Sequence, residues 1–373
     1  MKVLLVTMGL DIGGAETHIL ELAKGLKNRN IDVVVISSGG KYVEQLEEAK
    51  IKHYIAPLNN KKLKNMYISY NILKKVIKDE KIDIVHGHAR IPSFICGILQ
   101  KTMHFPFVTT AHWTFKTTNG LKYITNWGDK TIAVSDDIKK YLLKNYKKIK
   151  EEDITVTVNG IDTNKFSKDA IFTDVEKEFN LDNSKKRIVY ISRLDESRAL
   201  VARQLINISD NLYKNNKDLE IVIVGGGDVF EELNQMANEK NMQMGSKVIT
   251  MVGARFDIYK FANMGDIFIG VSRSALEAMA CEKPIIVAGN EGYIGIFDES
   301  KLDIGIKTNF CCRDTIDSNE EILEKDINTL LSLSVAEKQK MGKYNREIVN
   351  KYYSLDKMVE DNISVYNKVY NKK

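Results

Sequence analysis

A carboxylate, a pair of guanidiniums and several glycine runs are the groups in this chain whose type and spacing can do chemistry. Glu277 sits in the stretch Asp266–Gly289, DIFIGVSRSALEAMACEKPIIVAG, which reads as strand, tight loop, helix, strand. Asp266–Val271 is an apolar run with β-branched residues, and Ser272, Arg273 and Ser274 form a polar break. Ala275–Cys281 holds helix formers, and Lys283-Pro284 stops the helix before the apolar Ile285–Val287. A helix that begins just after a strand carries unsatisfied backbone N–H groups at the carboxyl edge of the sheet, a ready place for an anion. Glu277 lies one turn into it and has two readings: a charge that favours the helix N-terminus, or an acceptor for the paired hydroxyls of a diol such as a ribose. Arg193 and Arg198 follow another strand-like run, Ile188–Ser192. They can neutralise a diphosphate, with charge-assisted hydrogen bonds worth about 1.5–3 kcal/mol each, or pair at the surface with Asp195 and Glu196. Gly225-Gly226-Gly227 either makes a plain turn or leaves room for a nucleotide.

Near the start, DIGGAET separates the strand-like Lys2–Gly9 from a helix reaching Lys27. Gly13-Gly14 there lets the backbone approach a ligand closely, or simply turns. The fingerprint G-x-G-x-x-G is absent, which argues against a nicotinamide dinucleotide site and an oxidoreductase. Two histidine motifs fall at predicted strand ends, His86-Gly87-His88 and Ala111-His112-Trp113. On residue type alone His112 reads as a core histidine and His88 as a strand-end cap. With no carboxylate or cysteine at ligand spacing, the His88 and His112 pair predicts no metal site.

The elements that must position these groups alternate. Strand-like runs are Asp32–Ser37, His53–Pro57, Ile82–His86, Pro106–Ala111, Thr131–Ser135 and Ile154–Asn159. Helical patterns lie near Tyr42–Ala49, Ile68–Lys78, Pro92–Gln100, Gly120–Trp127 and Asp137–Asn145. After Gly160–Lys186, a polar connector plus a short helix, the alternation restarts with strands Ile188–Ser192, Glu220–Val224 and Val248–Val252, and helices near Ala199–Tyr213, Val229–Lys240 and Asp257–Met264. NEGYIGIFDES reads as a polar-aromatic loop; helices follow near Glu320–Leu333 and Ala336–Lys351, then the amphipathic Leu355–Tyr370. Such alternation predicts α/β domains with mainly parallel sheets covered on both faces, which bind ligands at the carboxyl ends of their strands.

At 373 residues, 43% hydrophobic and 28% charged, the chain is long enough for two globular domains. A net charge of +5 is mildly basic, compatible with an anionic ligand and too weak to predict nucleic acid. Lys61, Lys62, Lys64, Lys74, Lys75 and Lys78, and a second group at Lys139, Lys140, Lys144, Lys147, Lys148 and Lys150, read as solvated surface or as faces that meet anionic lipid. Cys96, Cys281, Cys311 and Cys312 show neither metal-ligand spacing nor a disulfide framework, which predicts a reducing, cytoplasmic setting. MKVLLVTMGL reads as a first strand rather than a signal peptide, and no apolar run spans a bilayer.

Read together, these pieces resemble a family. Gly13-Gly14-Ala15-Glu16, Asp83–His88, Thr110-Ala111-His112, Ala133-Val134-Ser135, Val158-Asn159-Gly160-Ile161-Asp162, Ser192-Arg193-Leu194, Val224–Gly227 and Leu276-Glu277-Ala278-Met279-Ala280 with Lys283-Pro284 occur in this order over nearly the whole length. The chain is similar to GT-B glycosyltransferases, close to family 4 (group 1), which move sugar from a nucleotide donor, usually with retention. The resemblance implies two Rossmann-like domains facing across a cleft. An acceptor domain would span 1–165 and a donor domain 166–353, with a C-terminal helix, 354–373, crossing back to the first domain.

The resemblance also places roles. Glu277 would hold the donor ribose, Arg193 and Arg198 would neutralise its diphosphate, and backbone amides near Ser272–Ala275, with Arg273, Ser274 and Ala275 as donor-binding residues, would face it. Gly226 would lie near the nucleotide, and the base against Val252–Arg255, so Val252 and Arg255 are expected there. His112 would sit near the transferred sugar, and Gly13 and Gly14 near phosphates or acceptor. No cofactor and no obligatory metal is expected. The expected partners are a UDP- or GDP-sugar, a glycan or lipid-linked acceptor of the cell envelope and an anionic membrane face touched from the cytoplasm, with no nucleic acid. Two positions depart from the family: its Glu, seven residues, Glu pattern has Ile269 in first place, and its usual Lys of the diphosphate pair is Arg198. Arg keeps the charge and changes the geometry; Arg273, in Gly-x-x-Arg, is the candidate replacement for the missing acid. Alternatives of other kinds are a nucleotide-sugar 2-epimerase of similar fold and a non-catalytic nucleotide-sugar binder.

Overall fold

The computed structural model describes residues 1–118 and 120–371. The chain divides into two compact units, Met1–Gly160 with Leu355–Lys373, and Ile161–Ser354.

The first unit runs β1 (Lys2–Val6), α1 (Gly14–Asn28), β2 (Asp32–Ser37), α2 (Val43–Glu48), β3 (Lys52–Ile55), α3 (Leu63–Asp79), β4 (Ile84–Gly87), α4 (Arg90–Met103), β5 (Phe107–Ala111), β6 (Lys130–Ala133), α5 (Asp136–Asn145) and β7 (Ile154–Val156). Its sheet has the order β3-β2-β1-β4-β5-β6-β7, and every pairing is parallel. Strands buried on both faces explain why β1 and β2 read as near-continuous apolar runs. One face packs Leu4, Val6, Val34 and Ile36 against α3 and α4 through Leu73, Val76, Ile95 and Leu99. The other packs Val3, Leu5, Val33 and Val35 against α1 and the chain's last helix.

The second unit runs α6 (Thr173–Phe179), β8 (Lys186–Ile191), α7 (Leu200–Asn215), β9 (Leu219–Val224), α8 (Phe230–Met244), β10 (Ile249–Val252), α9 (Ile258–Met264), β11 (Ile267–Gly270), α10 (Ser272–Ala280), β12 (Ile285–Gly289), β13 (Gly292–Ile296), α11 (Leu302–Thr308), α12 (Glu320–Ser332) and α13 (Val335–Tyr352). The sheet order is β10-β9-β8-β11-β12-β13, with β13 antiparallel at the edge. Arg187, the second residue of β8, is buried, its guanidinium held by Glu220 at 2.9 Å and Glu176 at 3.1 Å.

The last helix, α14 (Leu355–Tyr370), belongs to the first unit. Met358, Val359, Val365, Tyr366 and Val369 enter the same core as Leu22, Ala23 and Leu26 of α1. The contact is close: a Cβ on Gly25 would stand 2.4 Å from Val359 Cγ2. Arg29 adds an exposed ion pair to Asp356 at 2.7 Å. Burying a Val or Met side chain contributes about 1.5–3 kcal/mol, so this helix is an integral part of the unit that the chain began.

Two elements differ from expectation. Residues 120–127, expected to be helical, form turns and irregular backbone. Tyr123 is 85% exposed and Ile124 is also exposed, so apart from Trp127 at its end the segment has no apolar stripe to bury, and a short helix without tertiary packing is unstable. Conversely, the expected loop after Gly289 contains β13, which pairs with β12 from Gly292 to Ile296. Glycines at both 292 and 295, with φ of +144° and +81°, hid the strand, because glycine is poor in strands. All four cysteines are free, buried thiols, and burial pushes Cys281 and Cys312 up to about 12. Among the described residues no helix is long and apolar enough to cross a membrane.

Candidate active site

In the second sheet the strand order reverses between β8 and β11. That switch point is where open α/β sheets leave a crevice at their carboxyl ends. The loop after β8 carries Arg193 and Arg198, and β11 leads through Val271 alone into α10, which carries Arg273 and Glu277.

The arginine loop is fastened to the glycine run after β9. Ser192 N–H donates to Val224 O at 3.1 Å, Leu194 N–H to Gly226 O at 3.0 Å, and Val229 N–H to Leu194 O at 3.2 Å. A Cβ at Gly225 would stand 1.8 Å from Ser192 O, and one at Gly227 2.1 Å from Leu194 O. The glycines therefore let two strand-end loops pack backbone against backbone. Gly226 is less tight, 3.1 Å from Ala254 Cβ on the same measure. Leu194 is fully buried and anchors the loop, while Arg193 and Arg198 on either side are exposed. Arg198 pairs with Asp195 at 3.3 Å, and Glu196 pairs instead with Arg203 at 3.0 Å.

Glu277 is 3% exposed, and Arg273 Nε donates to its Oε1 at 2.8 Å. The carboxylate is thus buried and paired with Arg273 in the free protein. Ser274 Oγ donates to Val271 O at 3.0 Å. The expected set of ligand-facing amides at 272–275 shrinks. Ser272 N–H donates to Phe310 O at 2.7 Å, and Ala275 N–H makes the first helical bond, to Val271 O at 3.4 Å. Ile269 lies inside β11, fully buried between Tyr190 of β8 and Ile286 of β12. The position eight before Glu277 is a core position here, so the departure from the family pattern reflects a strand that runs directly into its helix.

Val252 ends β10 and is fully buried. Arg255 is committed elsewhere: Nη1 and Nη2 bond Glu178 at 2.6 and 2.9 Å, while Nε and Nη2 bond Asp257 at 2.8 and 3.0 Å. Its guanidinium also lies over the Phe179 and Phe261 rings. The Arg255 side chain ties α6 to α9, so a base near 252–255 would meet backbone and Gly253, where a Cβ would find nothing within 4 Å. Sequence reasoning missed a neighbouring segment. Asn309, Phe310, Cys312 and Asp314 all hold φ between 51° and 63°, as does Ser272. Non-glycine residues in the left-handed region cluster at functional sites, and no glycine in NFCCRD signals this one.

In the first unit the order reverses between β1 and β4. Gly13 caps α1 in an extended conformation, its carbonyl accepting from Thr17 N–H at 2.9 Å and Thr17 Oγ1 at 2.8 Å. A Cβ on Gly14 would meet nothing within 4 Å, so the protein itself does not demand a glycine there. His88 follows β4 and His112 follows β5; His88 Nδ1 and His112 Nε2 are 3.1 Å apart, a hydrogen bond in one tautomer or the other. His86, beneath them, uses Nδ1 with Tyr366 Oη and Nε2 with Thr110 Oγ1, both at 2.7 Å. Burial holds His86 down at about 3 and His112 at about 4, so both rings are neutral at pH 7.

Residues 12–165 match the family model described as Glycosyltransferase Family 4, and residues 171–348 the model described as Glycosyl transferases group 1. The N,N'-diacetylbacillosaminyl-diphospho-undecaprenol alpha-1,3-N-acetylgalactosaminyltransferase of Campylobacter jejuni is 24% identical over 365 residues, 90% of this chain and 93% of that one. A glycosyltransferase from Rickettsia africae superposes with a TM-score of 0.82 at 23% identity, over 100% of this chain and 99% of that one. Anabaena Alr3699/HepE, solved in complex with UDP, gives 0.76 at 16% identity, over 99% and 100%. Consecutive matches to both halves of one family, on two Rossmann-like domains in the same order, mean that the chain belongs to the group 1 glycosyltransferases of GT-B fold and is a nucleotide-sugar-dependent glycosyltransferase.

Proposed function

We propose that the protein moves a sugar, with retention, from a UDP-sugar to a lipid-linked or other envelope glycan. One observation carries the donor side: the exposed Arg193 and Arg198 sit on a loop locked to Gly225–Gly227, beside the switch point where α10 begins. As the glycosidic bond breaks, negative charge grows on the leaving diphosphate. Preorganised cations where that charge develops give the strongest stabilisation such a site can supply, and in this reading guanidiniums fill the place a metal would take. His112, neutral and half-buried at the carboxyl edge of the first sheet, can hold a hydroxyl of the transferred sugar or the acceptor. The UDP in the Anabaena neighbour and the diphospho-undecaprenol acceptor of the Campylobacter relative support the choice of donor and acceptor class.

The surface of α3 supports a lipid-linked acceptor. Leu63 and Tyr67 are 84% and 70% exposed among Lys61, Lys62, Lys64, Lys74 and Lys75. Each lysine near an anionic bilayer contributes about 1 kcal/mol. Co-sedimentation with anionic but not zwitterionic vesicles, abolished in a Leu63→Ser, Tyr67→Ser variant, is the expected result; equal sedimentation with both vesicle types removes the membrane face. The donor reading is tested by Arg193→Ala, for which kcat falls on the order of 10²-fold or more with partial rescue by Arg193→Lys. Turnover within a few-fold of wild type refutes it. Incubation with donor alone separates the chemistries: slow release of free sugar and UDP marks a transferase, and an epimerised nucleotide sugar does not.

A further inference from the structure

Three histidines meet at the carboxyl edge of the first sheet. His18 comes from the second turn of α1, His88 from the end of β4 and His112 from the end of β5. Each offers a ring nitrogen, and these atoms all lie within 4.8 Å of one another. The rings pack edge-on and stacked, His18 and His112 with centroids at 4.8 Å and His88 and His112 at 5.4 Å. His88 is 4% exposed. Its Nδ1 meets His112, while its Nε2 is buried with no hydrogen-bond partner. Leaving a buried imidazole nitrogen unmatched is costly, so the His88 ring has an unmet need for a polar partner. His86 supports the group from below with both nitrogens used, its ring 4.1 Å from that of His88.

The donor set selects the ligand. The cluster is made of histidines alone among the described residues, so it offers nothing to a hard cation that wants oxygen. Histidine ligates through a neutral imidazole nitrogen. Three neutral imidazoles with a fourth position for solvent are a set that suits zinc, copper or nickel. At a metal–nitrogen distance of about 2.0–2.1 Å, tetrahedral ligand atoms stand roughly 3.3 Å apart. His88 Nδ1 and His112 Nε2 are already at 3.1 Å, and the wider gaps, up to 4.8 Å, would shorten as the cation binds.

The geometry points to a binding site for a first-row transition-metal cation formed by His18, His88 and His112, and to loss of turnover when the cation takes His112 from its sugar. The first part stands on the cluster; the second rests on the proposed role of His112. Metal-stripped, full-length protein is titrated with ZnCl2 by calorimetry and with CoCl2 by visible absorption. One equivalent of Zn2+ is expected, with the intense visible bands of four- or five-coordinate Co2+, and His18→Asn and His88→Gln each weaken binding at least about tenfold. Weak octahedral-type Co2+ absorption overturns the site whether or not the variants fold, as does Zn2+ binding unchanged in variants whose melting shows them folded. In the transfer assay Zn2+ inhibits wild type and not His18→Asn. Stoichiometric binding without inhibition keeps the site and overturns the catalytic assignment of His112.

Discussion

Replacing Gly227 by alanine tests how the two strand-end loops of the second unit hold the arginines. An added Cβ would stand 2.1 Å from Leu194 O, 2.3 Å from Leu194 C and 2.7 Å from Asp195 N. All three are backbone atoms, so no side-chain rotation relieves the clash. Ordinary contact begins near 3.4 Å, so the arginine loop must move by more than an ångström. The struck oxygen is also the acceptor for Val229 N–H, a bond of 3.2 Å that opens α8. Overpacking of this kind costs about 1–3 kcal/mol, and losing the hydrogen bond adds about 1 kcal/mol. At about 2–4 °C per kcal/mol for a unit of this size, the melting temperature drops by several degrees. The functional effect is larger, because a displacement of about 1 Å in a positioning loop costs on the order of 10²-fold in rate. Differential scanning fluorimetry and initial rates at varied donor concentration read both. Gly226→Ala, which meets Ala254 no closer than 3.1 Å at its Cβ, is the milder companion for stability. A Gly227→Ala protein with unchanged melting temperature and unchanged kinetics refutes the close packing and the preorganisation drawn from it.

Two other perturbations follow from the structure. Gly14→Ala adds a Cβ to open space, so melting is unchanged; if the α1 terminus receives phosphate or acceptor, kcat/KM falls by at least about tenfold, and unchanged kinetics remove that backbone from the site. Glu80, 8% exposed, takes Lys2 at 2.5 Å, Lys52 at 2.9 Å and Tyr54 at 2.6 Å, and hydrogen bonds from these groups hold its carboxyl at about 2, below the ordinary 4.5. A depressed carboxylate contributes stability that is present above the unfolded value and is lost as the pH falls through the folded one. Urea midpoints should therefore fall between about pH 4.5 and 2 in wild type. Glu80→Gln flattens that part of the curve, and identical slopes in the two proteins refute the assignment.

Much of the architecture was legible because parallel strands buried on both faces print themselves as apolar runs. Asp32–Ser37 and the amphipathic Leu355–Tyr370 were read to the residue. What escaped was structure made by tertiary contact. β13 exists because Ile286–Gly289 offers an edge to pair with, and its two glycines carry no strand signal of their own. The helix expected at 120–127 failed for the opposite reason, since propensity without an apolar face to bury leaves only turns and irregular chain. In the site, the pairing of Arg273 with Glu277 was implicit in an i,i+4 spacing. The convergence of His18 with His88 and His112 was not, because these residues lie on α1 and just past β4 and β5, and only the sheet order brings them together.

The same contrast bears on the missing acid. A β-strand that passes through a single residue into α10 has no loop on which an acidic residue could project, and Ile269 fills the core where that residue would stand. The site is completed from another direction. The left-handed run at Asn309, Phe310, Cys312 and Asp314 brings Phe310 O to Ser272 N–H at 2.7 Å, which fixes the first residue of α10. The next residue, Arg273, holds the buried carboxylate of Glu277 one turn further on. A buried carboxylate deprived of its cation costs about 3–5 kcal/mol, so Arg273→Ala should destabilise the free protein as well as slow transfer. Glu277→Gln keeps the shape and removes the charge. If the pair is only structural, Arg273→Ala and Glu277→Gln lower melting while a folded fraction keeps its donor KM. If the carboxylate also takes the donor's hydroxyls, Glu277→Gln raises that KM even at temperatures where the variant is fully folded.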